Sequence, residues 1–214
     1  MKYIEYNLNE IDYDENEIKL NIEKIKNSNI DCVSVPTFYT KAIKNLLKEN
    51  KTIVSNVIDY PLGVMDTKSR NCAVLNAIEG GAQKIELVFP NILLANKKYD
   101  KIKNDIKTNK EICDDKNIPL FYILEYRIFT HQSLIKACDI LKEFSITNVY
   151  PSTGNMIDNI DDNIIATVLL HQKSNINVIF TGNIWNKEHF AKIEKHNICH
   201  IRTNSLRTIQ YLIG

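Results

Sequence analysis

The segment Val149-Tyr150-Pro151-Ser152-Thr153-Gly154 runs a short strand into a turn of small hydroxylic residues. A phenol at a strand end can donate or accept a proton. The turn hydroxyls more often satisfy their own loop backbone than attack a substrate. Two carboxylates are set in stretches that otherwise want burial: Glu86 in the run Lys84 to Phe89, and Glu5 in the run Tyr3 to Leu8. Inward acids beside a phenol are equipment for proton transfer. The same residues also read more plainly, with Tyr150 filling space and Glu5 and Glu86 accepting structural hydrogen bonds. Glu125 in Glu125-Tyr126-Arg127 is either a substrate contact or half of a local ion pair. Ser152 and Thr153 are substrate contacts or loop ties, and no histidine is placed to activate either as a nucleophile.

These residues need a frame that brings strand ends together. Apolar, largely β-branched runs recur at Tyr3–Leu8, Ile30–Val35, Thr52–Ile58, Lys84–Phe89, Leu120–Glu125, Ile146–Tyr150, Ile176–Thr181 and Cys199–Thr203. Most lack polar alternation, as expected of parallel strands covered on both faces. Amphipathic helical stretches separate them. An acidic turn, Asp12 to Glu15, precedes a helix striped by Ile18, Ile22 and Ile25. Thr37, Thr130 and Asn186 are placed to cap helices, and Gly80-Gly81 to end one. Further helices are predicted over Asp66–Glu79, Tyr99–Asp114 and Leu206–Leu212. Eight strands alternating with helices predict an α/β fold, a (β/α)8 TIM barrel in a single domain over residues 1–214, with chemistry at the strand C-termini. No G-x-G-x-x-G follows a strand, so a dinucleotide fold is not supported.

The chain has 214 residues and a net charge of +1, with four arginines and no basic run. That balance argues against a nucleic-acid partner. The five cysteines form no C-x-x-C pair and read as buried thiols of a reducing compartment. The histidines form no His-Glu-x-x-His motif, and no metal is expected. Trp185 reads as packing at a helix start. No apolar run reaches membrane-spanning length, and Met1 leads directly into polar residues, so a cytoplasmic protein with no membrane partner is expected.

Several stretches, in order, resemble the deoxyribose-phosphate aldolase family. Pro61-Leu62-Gly63 is similar to its turn after the third strand, and Asn76 to Val88 to its helix, glycine turn and fourth strand. Asp105-Ile106-Lys107, Ile123-Leu124-Glu125, Ser152-Thr153-Gly154 and Gly182-Asn183-Ile184 follow in family order. The resemblance implies a barrel that cleaves 2-deoxyribose 5-phosphate to glyceraldehyde 3-phosphate and acetaldehyde through an imine, with no cofactor. It also implies phosphate held by the loops after the last three strands, at Gly154, Asn155, Gly182, Asn183, Asn204 and Ser205.

The departures fall on the amines. The family's Schiff-base lysine aligns with Tyr150, its second lysine with Ile179, and a third with about Phe121. Its strand-four aspartate becomes Glu86 and its N-terminal aspartate Glu5. Asn183 and Arg202 stand where glycines are usual, so each either crowds the phosphate or, for Arg202, binds it. Trp185 replaces an arginine beside the phosphate loop. Lys84 shares the inward parity of Glu86 but lies two residues nearer the N-terminal face, and is expected to stand apart from the chemistry. Neither phenol nor isoleucine can form an imine. The expectation is a barrel that binds a small phosphorylated sugar or an aldehyde, with imine chemistry lost and Glu86, Tyr150 and Glu5 as remaining proton-transfer groups. An aldolase using an unrecognised lysine and a non-catalytic scaffold are the alternatives, and a homodimer is the assembly considered.

Overall fold

A computed structural model describes residues 3–9, 14–156 and 159–213. The elements run β1 (Tyr3–Asn7), α1 (Glu15–Ile25), β2 (Cys32–Val35), α2 (Thr40–Leu46), β3 (Ile53–Ile58), α3 (Thr67–Glu79), β4 (Lys84–Val88), α4 (Asn91–Ala95) and α5 (Tyr99–Asp115). They continue as β5 (Leu120–Ile123), α6 (His131–Glu143), β6 (Asn148–Tyr150), α7 (Ile160–Ser174), β7 (Asn177–Val178), β8 (Phe180–Thr181), α8 (Lys187–Lys195), β9 (His200–Thr203) and α9 (Leu206–Ile213).

The helix boundaries have local causes. Asp14 accepts from the Asn16 and Glu17 amides while Glu17 accepts from the Asp14 amide, a reciprocal cap that starts α1. Asp12, from the expected acidic turn, lies outside the described residues. Ile18, Ile22 and Ile25 then bury one stripe of that helix. Thr130 caps α6 and Asn186 caps α8, as expected from sequence. Thr37 does not cap α2: it begins a 3-10 turn, Thr37–Tyr39, and Thr40 starts the helix without a side-chain cap. The helix between β6 and β7 and short α4 were not delimited by the sequence pattern. At the end of α3, Gly80 stays right-handed and Gly81 takes φ +100, the conformation only glycine adopts cheaply.

All strand pairings are parallel, in the order β7-β6-β5-β4-β3-β2-β1-β9-β8. The expected seventh strand is broken at Ile179, and the break is what nearly closes the barrel. β7 pairs with β6, whereas β8, two residues later, pairs with β9. No described helix is long and apolar enough to cross a membrane.

Register sorts side chains by face. Ile85, Leu87, Tyr122 and Val149 point outward and pack under α3, α5 and α6, and Ile4, Tyr6, Val33 and Val54 under α1, α2 and α9. Phe180 and Ile201 join Ile184 and Ile193 beneath α7 and α8. The alternating residues point inward, and their chemistry divides the barrel centre in two.

Candidate functional site

Inward positions of β1, β2, β3, β4, β6 and β9 bring Glu5, Ser34, Ser55, Lys84, Glu86, Tyr150 and Arg202 into one buried group. Lys84 Nζ donates to Glu5 Oε2 at 2.6 Å and to the Tyr150 hydroxyl at 2.9 Å, and pairs with Glu86 Oε1 at 3.1 Å. The Tyr150 hydroxyl in turn donates to Glu5 Oε2 at 2.8 Å. Arg202 Nη1 pairs with Glu86 Oε2 at 2.9 Å, and its guanidinium lies 4.7 Å from the centre of the Tyr150 ring. Ser55 and Ser34 donate to the two oxygens of Glu86. Two buried carboxylates therefore face two buried cations, the pairing that buried charge requires.

This geometry corrects one expectation from sequence. Lys84 does not stand apart from the acids; its four-carbon stem spans the two-residue offset and sets the ammonium between them. The parity that points it inward was legible, but its reach was not weighed.

Protonation follows from the packing. For Lys84, burial alone would favour the neutral amine, but Cys32, Glu5, Glu86 and Tyr150 outweigh it and hold the group well above its ordinary value. Glu86 is also opposed by burial, yet Arg202 and then Lys84 pull its carboxyl down to about 2. Glu5 goes the other way: burial and then repulsion from Glu86 push it up to about 7, against Lys84 and Arg202. Burial, with Glu5 and Glu86, keeps the Tyr150 phenol protonated well above its usual range. Acids driven apart in this way are the signature of a donor and an acceptor sharing one site. Glu5, Cys32 and Glu86 also bring three donor atoms within 4.8 Å of one another, but the Lys84 ammonium stands between the carboxylates, so they hold a side-chain cation in place of a metal. His196 and His200 are four residues apart, yet one caps the end of α8 and the other opens β9, so they share no helix face.

Above this group, at the strand C-termini, lies a cavity of about 310 Å³. Gly154 and Met156 from the loop after β6, Gly182, Asn183 and Trp185 after β8, and Asn204 after β9 wall it. Tyr60, Asn7, Asn163, His189 and Arg202 are also among its lining residues. Glu5, Lys84, Glu86 and Tyr150 do not line it. Of the residues expected to meet a phosphate, Asn155 and Ser205 stand off the wall. Several expected backbone donors are engaged within the protein: the Gly154 amide with Ser152 Oγ, Asn155 with Thr153 Oγ1, Ser205 with Thr203 Oγ1, and Gly182 with the Arg202 carbonyl. Ser152 and Thr153 thus tie their own loop. Buried Glu125 accepts from both the amide and the hydroxyl of Thr153, which fixes the turn from beneath. Asn183 Oδ1 accepts from Thr203 Oγ1, so its side chain leans towards β9. Arg202 backs the cavity with a guanidinium already paired to Glu86 and donating to Asn7 Oδ1 at 2.9 Å. Trp185, expected as packing, is instead half exposed on the wall. Tyr60, Asn7, Met156, Asn163 and His189 were missed, having no motif of their own.

Comparison with known proteins places this architecture. No family model matches the chain. The deoxyribose-phosphate aldolase of Clostridium novyi is 31% identical over 153 residues, covering 72% of this chain and 68% of that protein. The chain belongs to the deoxyribose-phosphate aldolase family. A Thermococcus gammatolerans deoxyribose-phosphate aldolase is 32% identical over 156 residues, covering 72% of this chain and 69% of its own. The Mycoplasma capricolum deoxyribose-phosphate aldolase is 35% identical, but the match spans about half of that relative, 54%. In fold, the tetrameric deoxyribose phosphate aldolase of Aeropyrum pernix superposes with a TM-score of 0.85 at 16% identity, over 98% of this chain and 88% of that one. Tyr150, Ile179 and Phe121, which the sequence reading matches to family lysines, fall in one inward apolar cluster with Val57, Val88 and Ile123.

Proposed function

We propose that this family member binds a small phosphorylated sugar or related carbonyl compound in the mouth cavity and carries out no imine chemistry. The observation that supports this is the state of Lys84. Among the described residues it is the one buried lysine, and it is an ammonium held by Glu5, Glu86 and Tyr150, off the cavity wall. An imine needs a free amine that meets the carbonyl carbon. The opposite shifts of Glu5 and Glu86 fit a proton donor and an ionised partner, but both stand off the cavity wall like Lys84, so proton transfer is proposed only for a ligand that reaches beneath Arg202. The mouth loops supply the anion end, with Arg202 behind them. A homodimer remains the assembly we expect, to be sized by light scattering.

A second reading rests on the contact between Lys84 Nζ and the Tyr150 hydroxyl: the amine lost from β6 has been replaced by one arriving from β4. Borohydride reduction in the presence of acetaldehyde, followed by mass spectrometry, separates the two. We expect no labelled lysine, whereas a label on Lys84 establishes the second reading. Binding has its own readout, because Trp185 is the chain's single tryptophan and lines the cavity. Sugar phosphates are expected to change its fluorescence and raise the melting temperature. No response to any of them makes the barrel a scaffold.

A further inference from the structure

We propose that the mouth cavity takes up a tetrahedral oxyanion together with a proton, the proton going to Glu5 Oε1 and the anion settling against Arg202. This rests on the cavity being the ligand site. Arg202 is the one residue that both lines the cavity and pairs with the buried acids: its Nη1 is 2.9 Å from Glu86 Oε2 and its Nε 3.5 Å from Glu5 Oε1. With Glu5 and Glu86 both ionised, Lys84 and Arg202 are fully balanced, and an arriving anion finds no net charge. When Glu5 takes a proton from solvent onto Oε1, the interior carries one uncompensated positive charge, and an anion in the cavity feels it across Arg202, whose own side chain is fully buried. By reciprocity, the bound anion favours that proton.

The atoms single out Glu5. Its Oε1 is buried and accepts no hydrogen bond, while its Oε2 already accepts from Lys84 and Tyr150. A Glu86 carboxylate oxygen lies close enough that the two acids repel when both are charged. Every other titratable group facing Glu5 is pinned. Glu86 on β4 is held ionised by Arg202, Lys84 and two serine hydroxyls. Lys84 on β4 and Arg202 on β9 are held charged. Burial first of all keeps Tyr3 on β1, Cys32 on β2 and Tyr150 on β6 neutral. Glu5, pushed up to about 7, is the group left to change charge near neutrality.

Inorganic sulfate is the probe, since its charge is constant across the range, and Trp185 fluorescence reads its binding. The expected result is roughly tenfold tighter binding at pH 6 than at pH 8, as for uptake of about half a proton per anion over two pH units. A pH-stat measurement on the unsubstituted protein near pH 7 should record that uptake directly, which needs no variant to fold. Glu5→Gln is expected to bind with the same affinity at both pH values. His189→Gln, which removes the other cavity group able to take a proton, is expected to keep the slope. A flat affinity and no proton uptake in the unsubstituted protein overturn the inference while leaving the cavity a binding site. So does a slope that survives in Glu5→Gln or disappears in His189→Gln. Absence of sulfate binding at every pH removes the cavity reading together with the inference.

Discussion

One side of the barrel centre is polar and charge-paired: Glu5 and Glu86 face Lys84 and Arg202, and Ser34 and Ser55 donate to Glu86. The other side, Val57, Val88, Phe121, Ile123 and Ile179, is a plain apolar patch. Tyr150 is the seam, its hydroxyl in the first set and its ring in the second. The difference teaches where this chain parted from its family pattern. The positions that the sequence reading matches to family lysines fall on the apolar side, while Glu5 and Glu86 face Lys84 on β4 and Arg202 on β9. Inside the barrel two acids balance two cations.

The comparison can be broken most severely from the polar side. Glu86→Ala leaves Arg202 and Lys84 short of their shared acid, and should cost roughly 3–5 kcal/mol in urea unfolding. The apolar side should respond to volume instead: Ile123→Ala is expected to lose about 2–4 kcal/mol, without altering how stability depends on pH. If both variants lose the same amount and keep the same pH profile, the two halves are not physically distinct.

Titration sharpens the contrast. Glu5 has a folded value raised to about 7 from 4.5, so its proton favours folding. The stability it contributes is fully present below about pH 4.5 and is lost as pH rises through about 7. Glu86 has the opposite sign, with stability present above 4.5 and lost as pH falls through about 2. The unfolding free energy, followed by urea titration from pH 5 to pH 8, should therefore decline on account of Glu5, by an amount on the order of 1–3 kcal/mol, and Glu5→Gln should flatten that decline. Smallest is the seam. Tyr150→Phe keeps the ring on the apolar side and removes one donor to Glu5 and one acceptor from Lys84, for a loss of about 1–2 kcal/mol.

Strand order, inward parity and the helix caps at Thr130 and Asn186 follow from patterns local to a few residues, which is why they were legible. So was the presence of Phe121, Tyr150 and Ile179 in place of lysine, because it is a matter of residue type alone. The place of Lys84 between the acids was not legible, because parity gives direction but not reach. The turns that Ser152, Thr153 and Thr203 make with the amides beside them were not legible, because such local hydrogen bonds depend on loop conformation. Trp185, Tyr60 and His189 had no motif, and only loop folding brings them to one cavity.

The sequence by itself determined the alternation of strand and helix, the two inward carboxylates and the absence of lysine at Tyr150 and Ile179, since periodicity and side-chain chemistry are properties of the chain. Tertiary structure alone decided that Lys84 and Arg202 neutralise those carboxylates, that the seventh strand breaks at Ile179 to meet both neighbours, and that the cavity opens beside Arg202 and not beside Lys84. The physical reason is that Coulomb pairing and closure depend on distances of a few ångströms between residues as much as 197 positions apart, from Glu5 to Arg202, and only the curvature of the closed sheet sets them.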